Sequence, residues 1–170
     1  MKSMLPLSFH VRRVMAVFGV VAASLFIFSQ VVAAASWNNI EPLKSRRADV
    51  ERILGKPLQD KVGEQGTLHF KVMGGTVTIS FVSARFVANK KLSPELEGTV
   101  LQIVLQHENS SDTPESLKLT TNSDFQREDV QNGTIFRNLN DGIVYTFIGG
   151  KLKTTRYTPS NDDLGRARQG

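Results

Sequence analysis

Cysteine is absent from all 170 residues. That excludes disulfides, thiolate nucleophiles, cysteine-based metal sites and a lipid-attachment cysteine. Tryptophan occurs once, tyrosine twice and histidine three times, so the usual general base near neutral pH is scarce. No Gly-x-Ser-x-Gly elbow marks a serine nucleophile. The glycine pairs at 74–75 and 149–150 lie between alternating apolar residues. That is the setting of a hairpin turn, without the strand-to-helix context of a phosphate loop.

What the chain does have begins with its first 35 residues. Lys2, Arg12 and Arg13 precede an almost uncharged stretch, Val14 to Val32, which is followed by Ala33, Ala34 and Ala35. This order of basic, apolar and small residues is that of a secretory signal cut before Ser36. An uncleaved N-terminal membrane anchor is the alternative, since about 20 apolar residues span a bilayer core. Arg12-Arg13 leaves the twin-arginine route open beside the general one. The expected location is therefore outside the cytoplasm, periplasmic or secreted, with membrane contact only through the signal segment if it stays attached.

Removing residues 1–35 changes the charge. The whole chain carries +5, but the remainder holds 18 basic residues against 16 acidic ones. Both signs are interleaved along it, which describes a solvated surface and argues against nucleic-acid binding. About 135 residues are enough for one ordinary core without disulfides.

The stretch "SRRADVERILGKP", residues 45–57, predicts a short helix. Ser45 is the expected N-cap, Val50, Ile53 and Leu54 recur at helical spacing, and Gly55 and Pro57 end it. Its arginines at 46, 47 and 52 alternate with Asp49 and Glu51, so its charged side reads as a solvated face and not as a basic recognition surface. "LHFKVMGGTVTISF", residues 68–81, predicts a hairpin. A turn at Gly74-Gly75 would set Val72 against Val77, Phe70 against Ile79 and Leu68 against Phe81 on one buried face.

"GTVLQIVLQ", residues 98–106, is the most apolar strand candidate and is expected to be central. "ANKKLSPELEG" before it and "HENSSDTPES" after it read as connections, and a short strand is expected around Leu117 and Leu119. Turn signals at Asp141-Gly142 and Gly149-Gly150 predict a three-stranded meander, with Phe136 across from Phe147 and Phe147 across from Leu152. The sum is one α+β domain over residues 36–160: a mostly antiparallel sheet of hairpins and meander with one short N-terminal helix packed on it. Residues 161–170 read as a polar flexible tail.

"WNNIEPLKSRRADVERILGKP", "GTVLQIVLQ" and "NLNDGIVYTFIGGKLKTTRYTPSNDDL" together resemble a set of exported bacterial proteins of unknown function. Their pattern opens on a Trp and a Ser-Arg-x-Asp-Val-x-x-x-Leu-Gly-x-Pro helix and closes on a Gly-Ile-x-Tyr hairpin and a Tyr-x-Pro-Ser segment. It often ends in Leu-x-Cys, whereas here Leu164 is followed by Gly165 and Arg166. More distantly, the helix ending in Leu-Gly-x-Pro before a hairpin is similar to the SmpA/OmlA-like envelope domains and to the β-lactamase inhibitor protein. That resemblance implies a protein-binding role.

Candidate chemistry is thin. His69 and His107 could share a site if their strands are neighbours, but no placed carboxylate joins them, so no metal or other cofactor is expected. The close acidic pairs, Asp49 with Glu51, Glu95 with Glu97, Glu128 with Asp129 and Asp162 with Asp163, read as solvated. No catalytic residue is singled out. The expected interaction surface comprises Trp37, Arg85, Phe86, Arg156 and Tyr157, with Lys90 and Lys91 nearby, although a lone Trp near the start reads at least as readily as an anchor of the N-terminal segment against the core. The expected partner is an envelope or extracellular protein. The alternative is a small-ligand carrier or enzyme whose site is assembled from scattered polar residues.

Overall fold

Two alternating apolar runs fold back on each other at Met73-Gly74, forming the hairpin from which the rest of the sheet grows. The structure, a computed structural model, describes residues 35–61 and 66–168. All of them lie in one compact unit, residues 33–170. The export signal read from residues 1–35 lies, up to residue 34, outside the described residues.

The elements in chain order are α1 (Arg47–Leu54), β1 (Gln59–Lys61), β2 (Thr67–Val72), β3 (Gly75–Phe81), α2 (Ala84–Lys90), a 3-10 turn (Pro94–Leu96), β4 (Val100–His107), β5 (Gln126–Val130), β6 (Gly133–Asn138), β7 (Ile143–Ile148), β8 (Lys151–Tyr157) and α3 (Asn161–Ala167). The fold is α+β with a single antiparallel sheet of eight strands in the order β1-β2-β3-β4-β8-β7-β6-β5. Two four-stranded meanders thus meet through their last strands. β4, the most apolar candidate, is central as expected.

All three predicted hairpins form, two of them with a register two residues away from expectation. In the first, Val72 pairs with Gly75, Phe70 with Val77 and Leu68 with Ile79. Gly75 belongs to the strand and not to the turn because a Cβ there would lie 1.9 Å from the backbone oxygen of Gln106, while Gly74 supplies the positive φ of 84° that the turn needs. In the second, Phe136 pairs with Tyr145, and Phe147 faces Thr134. Asn138, 2% exposed, closes the strand early. Its Oδ1 accepts from the backbone N–H groups of Asn140 and Asp141 at 3.1 and 3.0 Å, and its Nδ2 donates to Asp141 Oδ2 at 2.7 Å. A slip of two keeps every side chain on its expected face. Phe136 and Phe147 still meet edge to face at 5.8 Å. The turn at Gly149-Gly150 and the Phe147–Leu152 pair are as predicted.

One row of cross-strand neighbours, Phe70, Val77, Leu105, Thr155, Tyr145, Phe136 and Arg127, runs across the core face. The opposite face carries the parallel row His69, Thr78, Val104, Arg156, Val144, Arg137 and Gln126. Val50 of α1 and Ile40 join Leu68, Phe70, Val77, Ile79, Phe81, Val100 and Ile103 in one buried cluster. A second cluster, around Phe136, Phe147 and Leu152, takes Leu119 from the long loop.

Several connections differ from the sequence reading. Ser45 is not the N-cap of α1: its Oγ accepts from Glu41 N–H at 2.9 Å, and the helix starts one residue later, where Asp49 accepts from Arg46 N–H at 3.0 Å. α2, read in part as connection, is capped by Ser83 Oγ accepting from Phe86 N–H at 3.1 Å. No strand forms at Leu117 and Leu119. Consecutive turns run there, held by Leu117 N–H to Thr113 O and Leu119 N–H to Pro114 O at 3.1 and 2.8 Å. The expected three-stranded meander gains β5 as a fourth strand. Where a polar tail was expected, residues 161–167 form α3, and Leu164 and Ala167 pack against Leu43, Val82, Val87 and Leu92. α1 is therefore one of three α-helices among the described residues. None of the described helices is long and apolar enough to cross a membrane.

Candidate functional site

The three arginines of the 45–57 stretch are exposed, and each bonds to a neighbouring part of the chain. Arg46 donates to the backbone oxygens of Glu97 and Glu95 at 3.1 and 2.8 Å. Arg47 pairs with Glu51 at 2.9 Å and with Asp60, and Arg52 pairs with Asp49 at 2.9 Å. Each arginine thus has a partner within the chain, and acidic groups alternate with the basic ones along this helix.

A cleft of about 370 Å³ opens on the core side of the sheet, at the end where β2, β3 and β4 meet the N-terminal segment. Asn38 and Asn39 take φ values of 51° and 62°, and Trp37 and Ile40 exchange backbone hydrogen bonds across them at 3.1 and 2.9 Å. Two left-handed residues in a row make the mirror-image tight turn that asparagine tolerates best after glycine. This turn folds Trp37 back against the main core, half-buried. Leu54 from the last turn of α1, Val72 and Met73 from the hairpin, and Leu105 and His107 from β4 are among the residues that line the cleft with Trp37. Met73, at the hairpin tip, is fully exposed.

His107 is the titratable group of the cleft, beside the uncharged Asn38, Thr76 and Gln106. Its Nε2 shares a hydrogen bond with Oγ1 of the buried Thr155 at 2.9 Å. Burial lowers the His107 pKa below its usual value, against a smaller opposing pull from Asp112. No carboxylate lines the cleft.

His69 is elsewhere. It stands on the opposite face of the sheet, with Nδ1 3.0 Å from Thr78 Oγ1, in a separate hollow of about 280 Å³. The shared histidine site considered from the sequence is therefore ruled out by register: β2 and β4 flank β3, but these two residues fall on opposite faces. Among the described residues no group of three His, Asp or Glu side chains converges as metal ligands would.

Of the acidic pairs, Asp49 and Glu51 hold the helix arginines, Glu128 pairs with Arg137 at 2.8 Å and Asp129 with Arg127 at 3.0 Å. Asp163 caps α3 and Asp162 is exposed.

No protein-family model matches the chain. Comparison with curated proteins gives no match either. Among solved structures the chain is similar to a DUF4309 family protein, YjgB, from Bacillus subtilis subsp. subtilis str. 168, at 13% identity and a TM-score of 0.48, over 72% of this chain and 83% of that one.

The five residues expected to form one interaction surface are dispersed. Trp37 is in the cleft wall. Tyr157 is on the same core face, half-buried between Ile103 and Ile143, its hydroxyl pKa raised by burial. Arg156, the next residue back, is exposed on the opposite face between Val104 and Val144. Arg85 is exposed in the first turn of α2, where Phe86 packs on the cluster around Val87. Met73, Leu54, Val72 and Leu105 were missed. The available signal was Asn38-Asn39, a turn dipeptide that folds the lone Trp back onto the sheet.

Proposed function

We propose that the chain is an exported, non-catalytic recognition protein of the periplasm or cell exterior, which takes an apolar side chain of an envelope or extracellular protein into the Trp37 cleft. One observation carries the reading: a half-buried Trp and a fully exposed Met line one cleft together with Leu54, Val72 and Leu105. Aromatic residues and methionine are the ones enriched where binding energy concentrates. Supporting it are the signal-like first 35 residues and the resemblance to exported bacterial and inhibitor-like domains. Arg85, Phe86, Arg156 and Tyr157 lie outside the cleft and belong to other surfaces.

A second reading, a small-ligand carrier, draws on the His107–Thr155 pair, since a few fixed polar groups in an apolar hollow are what small-molecule sites use.

The test uses residues 33–170, the unit that holds the core clusters described above, immobilised against an envelope extract and read by mass spectrometry. A protein captured only by the folded form is expected. The chain's one Trp lines the cleft, so its emission should shift to the blue when the purified partner binds. Met73→Glu, at a fully exposed position, should weaken that binding at least about tenfold. Retention of a metabolite in place of a protein, or binding indifferent to Met73→Glu, would sink the proposal.

A further inference from the structure

The sheet ends on two unlike edges. β1 spans only three residues, whereas β5 pairs with β6 along all five of its residues, and no described strand lies beyond it. The β5–β6 hairpin closes at Val130 and Gly133 around a two-residue turn. Alternation from that closing pair turns the backbone groups of Val130, Glu128 and Gln126 toward β6, and those of Arg127 and Asp129 outward. All five side chains of β5 are exposed. Arg127 and Asp129 share the core face, where they bond each other at 3.0 Å. Glu128 is on the other face, paired with Arg137 at 2.8 Å.

We propose that β5 pairs antiparallel with β5 of a second copy of this chain, about a two-fold axis through Glu128. In that register Arg127 is directly opposite Asp129 of the other copy, and the reverse holds across the axis. The two residues whose backbone groups face outward are thus the two that meet. Four backbone hydrogen bonds and two reciprocal ion pairs form together. The residues brought opposite one another lie on matching faces, as a continuous sheet requires.

Charge selects this register over its neighbours. An axis moved one residue back sets Arg127 against itself, and one residue forward sets Asp129 against itself. At the centre Glu128 does meet its own copy, but each is held by Arg137 of its own chain. Both clefts then open on the same side of the joined sheet.

The test is sedimentation velocity of residues 33–170 from about 5 to 500 µM at low salt, where exposed charge pairs count most. A concentration-dependent dimer is expected. Asp129→Arg should weaken it at least about tenfold, and the double exchange Arg127→Asp with Asp129→Arg should recover most of the loss. Far-UV circular dichroism checks that the variants keep their fold. A monomer at every concentration, or a dimer that Asp129→Arg leaves unchanged, overturns the proposal.

Discussion

Gly75 illustrates how one hydrogen atom sets a register. An added methyl group would meet the Gln106 carbonyl oxygen at 1.9 Å, so β3 and β4 can close only with glycine there. Gly75→Ala should cost about 1–3 kcal/mol by overpacking. Gly165, inside α3 with open space where a Cβ would stand, should behave in the opposite way. Gly165→Ala is expected to stabilise by about 0.5–1 kcal/mol. Urea midpoints that moved in the same direction for both variants would refute the pair.

His107 gives a pH signature at the same scale. Burial lowers its folded-state pKa below the unfolded value of about 6.5. As pH falls through about 6.5 the unfolded chain takes up a proton that the folded chain does not, so stability declines until both states are protonated. His107→Gln should flatten the thermal midpoint between about pH 7.5 and 5.5 relative to wild type. Parallel profiles would mean the imidazole is as free in the fold as outside it.

Among the elements, α3 depends most on a single pair. Ser160 and Asp163, 2% and 9% exposed, satisfy each other: Asp163 N–H donates to Ser160 Oγ at 3.0 Å, while Ser160 N–H and Oγ–H donate to Asp163 Oδ2 at 3.1 and 2.7 Å. Burial works against the charged Asp163, but these bonds and one from Arg166 outweigh it and hold its pKa below the usual value. Ser160→Ala should cost about 1–2 kcal/mol in urea unfolding. The contribution of the ionised Asp163 is present above its unfolded pKa of about 3.9 and disappears as pH falls through the lower folded value. Its acid loss is therefore separate from the His107 window.

This helix also shows why the polar C-terminal segment was misread: Ser160 and Asp163 are a legible capping box, but the apolar stripe behind it is only Leu164 and Ala167. α2 and β5 were missed for similar reasons. α2 ends on Lys91 in a left-handed conformation where glycine is usual. β5 is five exposed residues with three charges among them, and only β6 reveals it.

At the scale of the molecule, the two meanders share one sheet through four pairs between β4 and β8, from Ile103–Tyr157 to Gln106–Thr154. Trp37 reports on the first half and Phe136 packs in the second. Phe136→Ala should destabilise by about 3–5 kcal/mol. Trp37 emission and far-UV circular dichroism should then lose their native signals at one shared urea midpoint. Two separated midpoints would show that the meanders unfold independently. Salt should matter little, because most of the ion pairs, such as Lys44–Glu41 and Arg47–Glu51, are exposed on both sides.

The sequence alone determined which faces are buried, because a period of two residues survives a register slip of two. It also placed the α1 helix, the central β4 and the turn at Gly149-Gly150, each written in local periodicity or turn chemistry. Only the tertiary structure decided what meets across the sheet. The opposite faces of His69 and His107, the joining of β4 to β8, and the gathering of Trp37, Leu54, Met73 and Leu105 around one cleft all depend on contacts between residues far apart in the chain. Such contacts leave no local pattern to read.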